Sequence, residues 1–316
     1  MDRVAGIDVG KASLDVSLAG GPVRPFANTA AGRRSLRQWL GEQGVTLAVC
    51  EPTGGYERPL VGELQAVGLP VVLAHPPRVR AFARVCGTEA KTDLLDAQVL
   101  ARFGVAVPVV ATPPPDPARV ALRDLVSRRR QLVETRTEEK NRQDKGQTPA
   151  VAQSTRRHLA WLEREIARLD AAIQQTVADS PELARRTQLY RSVRGVGEVT
   201  ATILTAYLPE LGQVSGKAVT ALVGLAPWAH DSGRQRGYRA IRGGRGTVRG
   251  ALYLAAMVAI RHPGELQRFY QGLRQRGKRG KVALVAVMRK LLLHLHAVAR
   301  RGTPWIEELA PAPKNP

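Results

Sequence analysis

The spacing of apolar residues changes repeatedly over the first hundred positions, and each change marks an element. Arg3 to Val9 is an apolar run of strand length, and Ser13 to Leu18 alternates apolar with polar after a Gly10-Lys11 turn, so both read as strands. Pro22 to Ala27 gives a third strand and Arg33 to Gly41 a helix. Val45 to Cys50 is a short apolar strand, followed by a helix from about Arg58 to Val67 and a further buried strand at Val71 to Ala74. Helices over Pro77 to Val85 and Asp93 to Phe103 complete the segment. Three strands in a meander followed by helix–strand alternation define a mixed α/β sheet. That order matches the RNase H-like topology, and the periodicity also permits other α/β folds.

The pattern breaks at TPPPDP, residues 112–117, which continues neither a helix nor a strand. Beyond it Leu159, Leu162, Ile166, Leu169 and Ile173 recur at helical spacing as a coiled-coil-like seam, and Leu122, Leu125, Leu132 and Val133 form a weaker stripe. Gly146 and Pro149 interrupt between them, which predicts an antiparallel helical hairpin packed on itself or on another subunit. From Arg191 the chain is mainly helical around a Gly/Arg-rich centre at 231–250, and Leu284, Met288, Leu291, Leu292 and Leu295 line one face of a last long helix. The expected organisation is an α/β domain at 1–112, a helical linker at 113–188, a mainly α domain at 189–310 and a loose tail at 311–316.

Charge changes the picture more than composition does. The 316 residues carry a net charge of +21, unevenly spread. Residues 1–112 hold 12 basic and 10 acidic side chains, 113–190 hold 15 and 11, and 191–316 hold 21 and 6. An excess confined to one segment is expected of a surface that lies on a polyanion, so nucleic acid is the expected partner. Only Cys50 and Cys86 occur, with no histidine at ligand spacing, which argues against a thiolate metal site and for a reducing compartment. No basic segment doubles as a long amphipathic helix with aromatic anchors, so no membrane partner is expected and the placement is cytoplasmic, with the nucleoid.

Four carboxylates stand out against this. Asp8 closes the first strand in AGIDVG, Glu51 closes a later one in CEPTGG, and Asp93 and Asp96 lie three apart in KTDLLDAQVLA, on one helix face. In an RNase H-like sheet the ends of the first and fourth strands are neighbours, and hard oxygen ligands there suit magnesium. Singly each has a plain structural role: turn former, surface charge, helix cap. The stretch GIDVGKASLDVSL also looks like the phosphate loop of actin-like and sugar kinases, but the further glycine motifs of that family are missing. Lys11, in the turn after Asp8, is a candidate phosphate contact.

In the basic segment, SVRGVGEVTATIL resembles a helix-hairpin-helix whose Gly195 and Gly197 let backbone approach a phosphate; a plain helix–turn–helix pair is the alternative. Ser232 precedes Gly233 among Arg234, Arg236, Arg239, Arg242, Arg245 and Arg249. Guanidinium groups so placed can bind a phosphodiester beside a serine nucleophile. On composition alone, a Ser-Gly turn beside generic phosphate-binding arginines is the simpler reading.

Taken in order, AGIDVGKASLDV, CEPTGGYE, KTDLLDAQVLA, RGVGEVTATIL and LVGLAPWAHDSG resemble the DEDD-type insertion-sequence transposases, a family that includes Piv-type DNA invertases. The likeness covers nearly the whole chain, the helical linker in character only. It implies a RuvC-like domain whose Asp8, Glu51, Asp93 and Asp96 bind magnesium, and a C-terminal transposase domain whose nucleophile is Ser232. It also implies a phosphoserine link to DNA, a homo-multimer (dimer or tetramer) in which one subunit's acidic site completes another's serine site, and in some members a structured guide RNA. One departure is that Asp231 stands where many relatives carry a second serine, with His230 beside it.

Overall fold

The structure, a computed structural model, describes residues 3–87, 93–143, 145–229 and 239–306, with the side chains of 93–95, 229 and 239 outside that description. The chain divides into two compact units, Met1–Pro114 and Pro115–Pro316.

In the first unit β1 (Val4–Val9), β2 (Ser13–Leu18) and β3 (Val23–Ala27) form the meander, and α1 (Ala30–Glu42) leads to β4 (Leu47–Cys50). Then come α2 (Arg58–Ala66), β5 (Val71–Leu73), α3 (Pro76–Val85) and α4 (Asp93–Ala106). The sheet order is β3-β2-β1-β4-β5; β1–β2 and β2–β3 are antiparallel, β1–β4 and β4–β5 parallel. Strand alternation divides the apolar residues between two faces. Ala5, Ile7, Val9, Leu14 and Val16 meet Leu36 and Leu40 of α1 and Leu60, Val61 and Leu64 of α2. Val4, Val49 and Val72 meet Val79 of α3 and Val99, Leu100 and Phe103 of α4 on the other side.

The seat of α4 on that second face is set by a glycine. A Cβ at Gly6 would lie 2.1 Å from the Ala97 carbonyl oxygen and 2.3 Å from the Ala101 nitrogen, so helix backbone rests directly on strand backbone. Near the other end of the helix, a Cβ at Gly104 would meet Val49 and Val4 side chains at 2.6 and 2.7 Å. Moving along β1 from Val4 to Gly6 therefore runs back along α4 from 104 to 97. The helix lies antiparallel to β1, and its first turn sits at the strand's C-terminal end.

In the second unit α5 (Pro117–Gln143) and α6 (Pro149–Ala178) pack along each other. Arg129 pairs with Asp170, and His158 lies 2.8 Å from Glu139 near the connecting turn, so the two helices run antiparallel. Leu132, Leu162 and Ile166 fill the seam towards the turn; Leu122, Val126 and Ile173 fill its other end together with Leu183 and Ala206. The remainder is α7 (Pro181–Arg191), α8 (Glu198–Tyr207), α9 (Gly216–Val223), a hairpin of β6 (Pro227–Ala229) and β7 (Arg239–Ile241), α10 (Gly246–Ala259), α11 (Glu265–Gln275) and α12 (Gly280–Arg301). α12 is long and apolar enough to cross a membrane by length and composition alone. Its Leu284, Val287, Met288, Leu291, Leu292 and Leu295 instead centre the C-terminal core.

Candidate functional site

The acidic residues are brought together by strand register. β1 and β4 are parallel neighbours with Ile7 opposite Cys50, so Asp8 and Glu51 follow at adjacent strand ends. Asp8 shares its face of β1 with Gly6, the face on which α4 lies. Because the helix starts at that end of the strand, Asp93 is its first residue and Asp96 closes its first turn there. Asp8, Glu51 and Asp96 are each half-buried.

Among the described residues no group of three or more His, Cys, Asp and Glu side chains comes close enough to hold a metal ion, and the Asp93 carboxylate is outside that set. By donor chemistry these carboxylates suit a hard divalent cation, and by position they converge on one end of the sheet.

Register also exposes a residue that periodicity missed. Asp15 of β2 lies directly opposite Asp8, so both carboxylates project from the same face. Like charges opposed in this way are unfavourable unless a cation is shared. The pairing register, which the sequence pattern does not print, is the signal that finds it.

The loops carrying these acids are braced. Glu57 is only 8% exposed, and its Oε2 accepts from the Thr53 and Gly55 backbone N–H groups at 3.0 and 2.8 Å and from the Thr53 hydroxyl at 3.1 Å. Burial pushes its carboxyl pKa up, but these hydrogen bonds, together with its own N–H, outweigh burial and hold it below the usual carboxylate range. Glu57 thus fixes the turn that follows Glu51. Burial, with the Glu57 and Glu51 charges behind it, pushes the Cys50 thiol up to about 12, so it stays an inert core group. Asn28 Nδ2 donates to the Gly10 carbonyl at 2.9 Å and reaches the Tyr56 carbonyl at 3.4 Å, tying the loop after Asp8 to the loop after Glu51. Lys11 is exposed in the first of these loops.

In the second unit, β6 and β7 are the stem of a hairpin, with Pro227 opposite Ile241 and Ala229 opposite Arg239. Residues 230–238, which join them and contain Ser232, Arg234 and Arg236 as well as His230 and Asp231, lie outside the described residues, as does the Arg239 side chain. The base of the stem is clamped where two glycine turns meet. Gly224 and Gly244 both have positive φ, and a Cβ on Gly244 would sit 2.3 Å from the Gly224 nitrogen.

The arginines after the stem have differing surroundings. Arg245 forks onto both carboxylate oxygens of Glu210, and its Nη1 also donates to the Tyr207 carbonyl at 2.8 Å. Burial raises the Glu210 pKa, but the Arg245 hydrogen bonds outweigh it and the net shift is downward. Arg249 donates to the Gly243 carbonyl and, at 3.4 Å, to that of Val223. Arg242 is exposed and lies over the Trp228 ring. Arg245→Met is therefore expected to cost about 1–3 kcal/mol by stranding Glu210, read as a Tm lower by about 2–12 °C. Arg242→Met is expected to leave Tm unchanged; equal losses would mean that the Glu210 pair stabilises nothing.

Gly195 and Gly197 lie in the turn between α7 and α8. A Cβ at Gly195, which has φ of +87°, would lie 2.6 Å from the Ala255 carbonyl oxygen and 2.8 Å from Ala259 Cβ, so this glycine lets α10 approach the turn. Gly197 is the N-cap of α8, with open space where its Cβ would be.

Comparison with known proteins gives concordant results. A family model described as a DEDD-type IS110 transposase matches residues 5–145, and one described as "Transposase IS116/IS110/IS902 family" matches residues 187–271. The chain is similar to the pilin gene-inverting protein of Moraxella bovis, 28% identical over 316 residues, covering 95% of this chain and 96% of that protein. The pilin gene-inverting protein of Moraxella lacunata is 28% identical over 293 residues, 89% of each chain. An insertion element IS900 42 kDa protein of Mycobacterium paratuberculosis is 34% identical over 149 residues, 45% of this chain and 37% of that protein.

Proposed function

The chain belongs to the IS110 family of DEDD transposases, and from that premise we propose that it exchanges DNA strands through a phosphoserine intermediate formed by Ser232. That it rearranges DNA follows from the family; the chemistry is our reading. The observation that carries it is the convergence of Asp8 and Glu51 at adjacent strand ends with the first turn of α4, where Asp93 and Asp96 stand.

In this reading Asp8, Glu51, Asp93 and Asp96 hold magnesium, which when bound polarises a phosphate oxygen of the scissile link. The Ser232 hydroxyl attacks that phosphorus. An Oγ–P bond forms, the bond from phosphorus to one strand breaks, and that strand leaves as a free hydroxyl carrying the serine's proton. The sheet order β3-β2-β1-β4-β5 supports a RuvC-like assignment for the domain at 1–112, with a coiled-coil-like linker at 113–188, a transposase domain at 189–310 and a tail at 311–316. The turn at Gly195 and Gly197 supports a helix-hairpin-helix contact to DNA backbone, joined by Lys11, Arg234, Arg236, Arg239, Arg242, Arg245 and Arg249 as candidate nucleic-acid contacts. Arg249 also braces the turns at the base of the hairpin stem and Arg245 pairs with Glu210, so substituting them perturbs folding as well as binding.

The family resemblance further implies a homo-multimer, a dimer or tetramer, in which the acidic site of one subunit completes the serine site of another. The concentration of positive charge in the last segment favours phosphate contact with a structured guide RNA as well as with DNA. The place of action is the cytoplasm, at the nucleoid.

The test is a denaturing gel of the purified protein with element DNA, element-derived RNA and magnesium. An SDS-resistant protein–DNA band, absent in Ser232→Ala, is the expected result. Cleaved DNA without covalent attachment would replace this mechanism with water-mediated cleavage by a RuvC-like nuclease.

A further inference from the structure

The β6–β7 stem has two unlike faces. Ile241 packs against the C-terminal core. Trp228 is opposite Ala240 in the ladder, so those side chains share the other face, and Arg242, two residues beyond Ala240, shares it too. There the Arg242 guanidinium carbon lies 4.1 Å from the centroid of the Trp228 ring, while the tryptophan stays 48% exposed. Trp39, Trp161 and Trp305 each lie against another ring of the chain, Trp39 with the Arg24 guanidinium beside it as well; among the described residues Trp228 meets a guanidinium and no ring.

An indole and a guanidinium stacked in water form a flat, rigid surface with a positive charge built in. The ligand that such a surface fits is a planar ring attached to an anion. Unpaired nucleotides match both requirements, since every base has a π face and every link a phosphate. A duplex offers the anion but keeps its rings stacked internally. Only 4% of the chain is aromatic, so base stacking is not a general device of this protein. Here one ring stands on the stem of the hairpin that leads to Ser232, four residues on, a stretch of chain that spans at most about 14 Å.

We propose that Trp228 and Arg242 form a stacking platform for an unpaired base of the DNA strand being exchanged. The proposal rests on the reading of the chain as a strand-exchanging transposase, because only strand separation would supply such a base. It assigns to the stem a task distinct from phosphate binding: keeping a separated strand from re-pairing.

The test uses the full chain with Trp39, Trp161 and Trp305 replaced by Phe, so that emission reports Trp228 alone. The probes are a short oligothymidylate, a blunt duplex of the same length, oligouridylate and inorganic polyphosphate. Oligothymidylate is expected to quench Trp228, and duplex and polyphosphate to bind without quenching. In the otherwise unaltered chain, Trp228→Ala should weaken oligothymidylate binding about five- to a hundredfold with polyphosphate binding kept, Trp228→Phe should retain most of it, and Arg242→Ala should weaken it. DNA bound with no change in Trp228 emission would overturn the platform and leave the transposase reading intact. Equal loss of oligothymidylate and polyphosphate binding in Trp228→Ala would do the same, by showing a structural role. Stronger quenching by oligouridylate would overturn the assignment to a DNA strand, and failure to bind any probe would bring down the DNA reading itself.

Discussion

With Asp8 replaced by Asn, or Glu51 by Gln, the protein is expected to bind DNA as before and to lose strand cleavage by about three to four orders of magnitude. The size follows from what a correctly held divalent cation contributes to phosphoryl transfer, several kcal/mol of transition-state stabilisation. Both replacements keep the size and much of the hydrogen-bonding capacity of the original side chain while removing its charge. Cleavage of labelled element DNA, measured beside filter binding, separates chemistry from affinity. A second readout belongs to the ion alone. If the cation binds only the folded chain, magnesium at a hundred times its dissociation constant raises stability by about 2.7 kcal/mol, and the unaltered protein's Tm should climb with magnesium while that of each variant stays flat. Unchanged cleavage would remove these carboxylates from the mechanism. Equal loss of cleavage, DNA binding and Tm would make them supports of the fold.

Asp15 bears on the same experiment. It faces Asp8 across the β1–β2 ladder, so any cation at this end of the sheet sits in its field. Nothing in the alternation of SLDVSL marks it apart from an ordinary outward polar residue; its neighbour is chosen by the register of the turn at Gly10–Ala12. This is the general division between what the residues declare and what they withhold here. The alternation of Ser13–Leu18 gives its limits and its buried apolar residues Leu14 and Val16 from period two, while the burial of Ser17 on the other face does not follow from it. The apolar runs before Asp8 and Glu51 aim both at a sheet end, and the parallel pairing of β1 with β4 makes those ends neighbours.

Side-chain partners chosen at long range are another matter. Arg245 and Arg249 stand in the sequence as two members of an arginine cluster, indistinguishable from Arg242. The fold gives Arg245 the Glu210 carboxylate, 35 residues earlier, and Arg249 the Gly243 carbonyl. The partners are set by place: Arg249 reaches the carbonyls of the two glycine turns that clamp the stem, Val223 and Gly243, whereas Arg245 reaches the end of α8 and the loop after it, at Tyr207 and Glu210. Arg242 is spared because the two-residue repeat of β7 turns it to the exposed face beside Trp228. Glu57 was legible only as the end of CEPTGGYE; that its carboxylate is buried and closes the turn after Glu51 depends on φ values of +78° and +117° at Gly54 and Gly55.

Gly6→Ala is expected to damage the first unit at the point where its acidic helix is seated. The added carbon would lie 2.1 Å from the Ala97 carbonyl oxygen and 2.3 Å from the Ala101 nitrogen. Both obstacles are helix backbone, so no rotamer change relieves the contact; α4 must lift from the sheet or slide along it. Overpacking of this kind costs about 1–3 kcal/mol or more, and here it also moves the helix whose first turn carries Asp93 and Asp96. A displacement of about 1 Å at a catalytic constellation can cost roughly a hundredfold in rate. The expected result is a folded protein with lowered Tm, cleavage reduced about a hundredfold, and DNA binding within a few-fold of the original. Gly104→Ala serves as the comparison, because the atoms nearest its Cβ would be Val49 and Val4 side-chain carbons rather than backbone, and it lies at the far end of the helix from the acids. Gly104→Ala should therefore lower Tm with a smaller effect on cleavage. If the two variants lose cleavage in proportion to their loss of stability, α4 contributes packing and no positioning, and Asp93 and Asp96 lose their place in the mechanism.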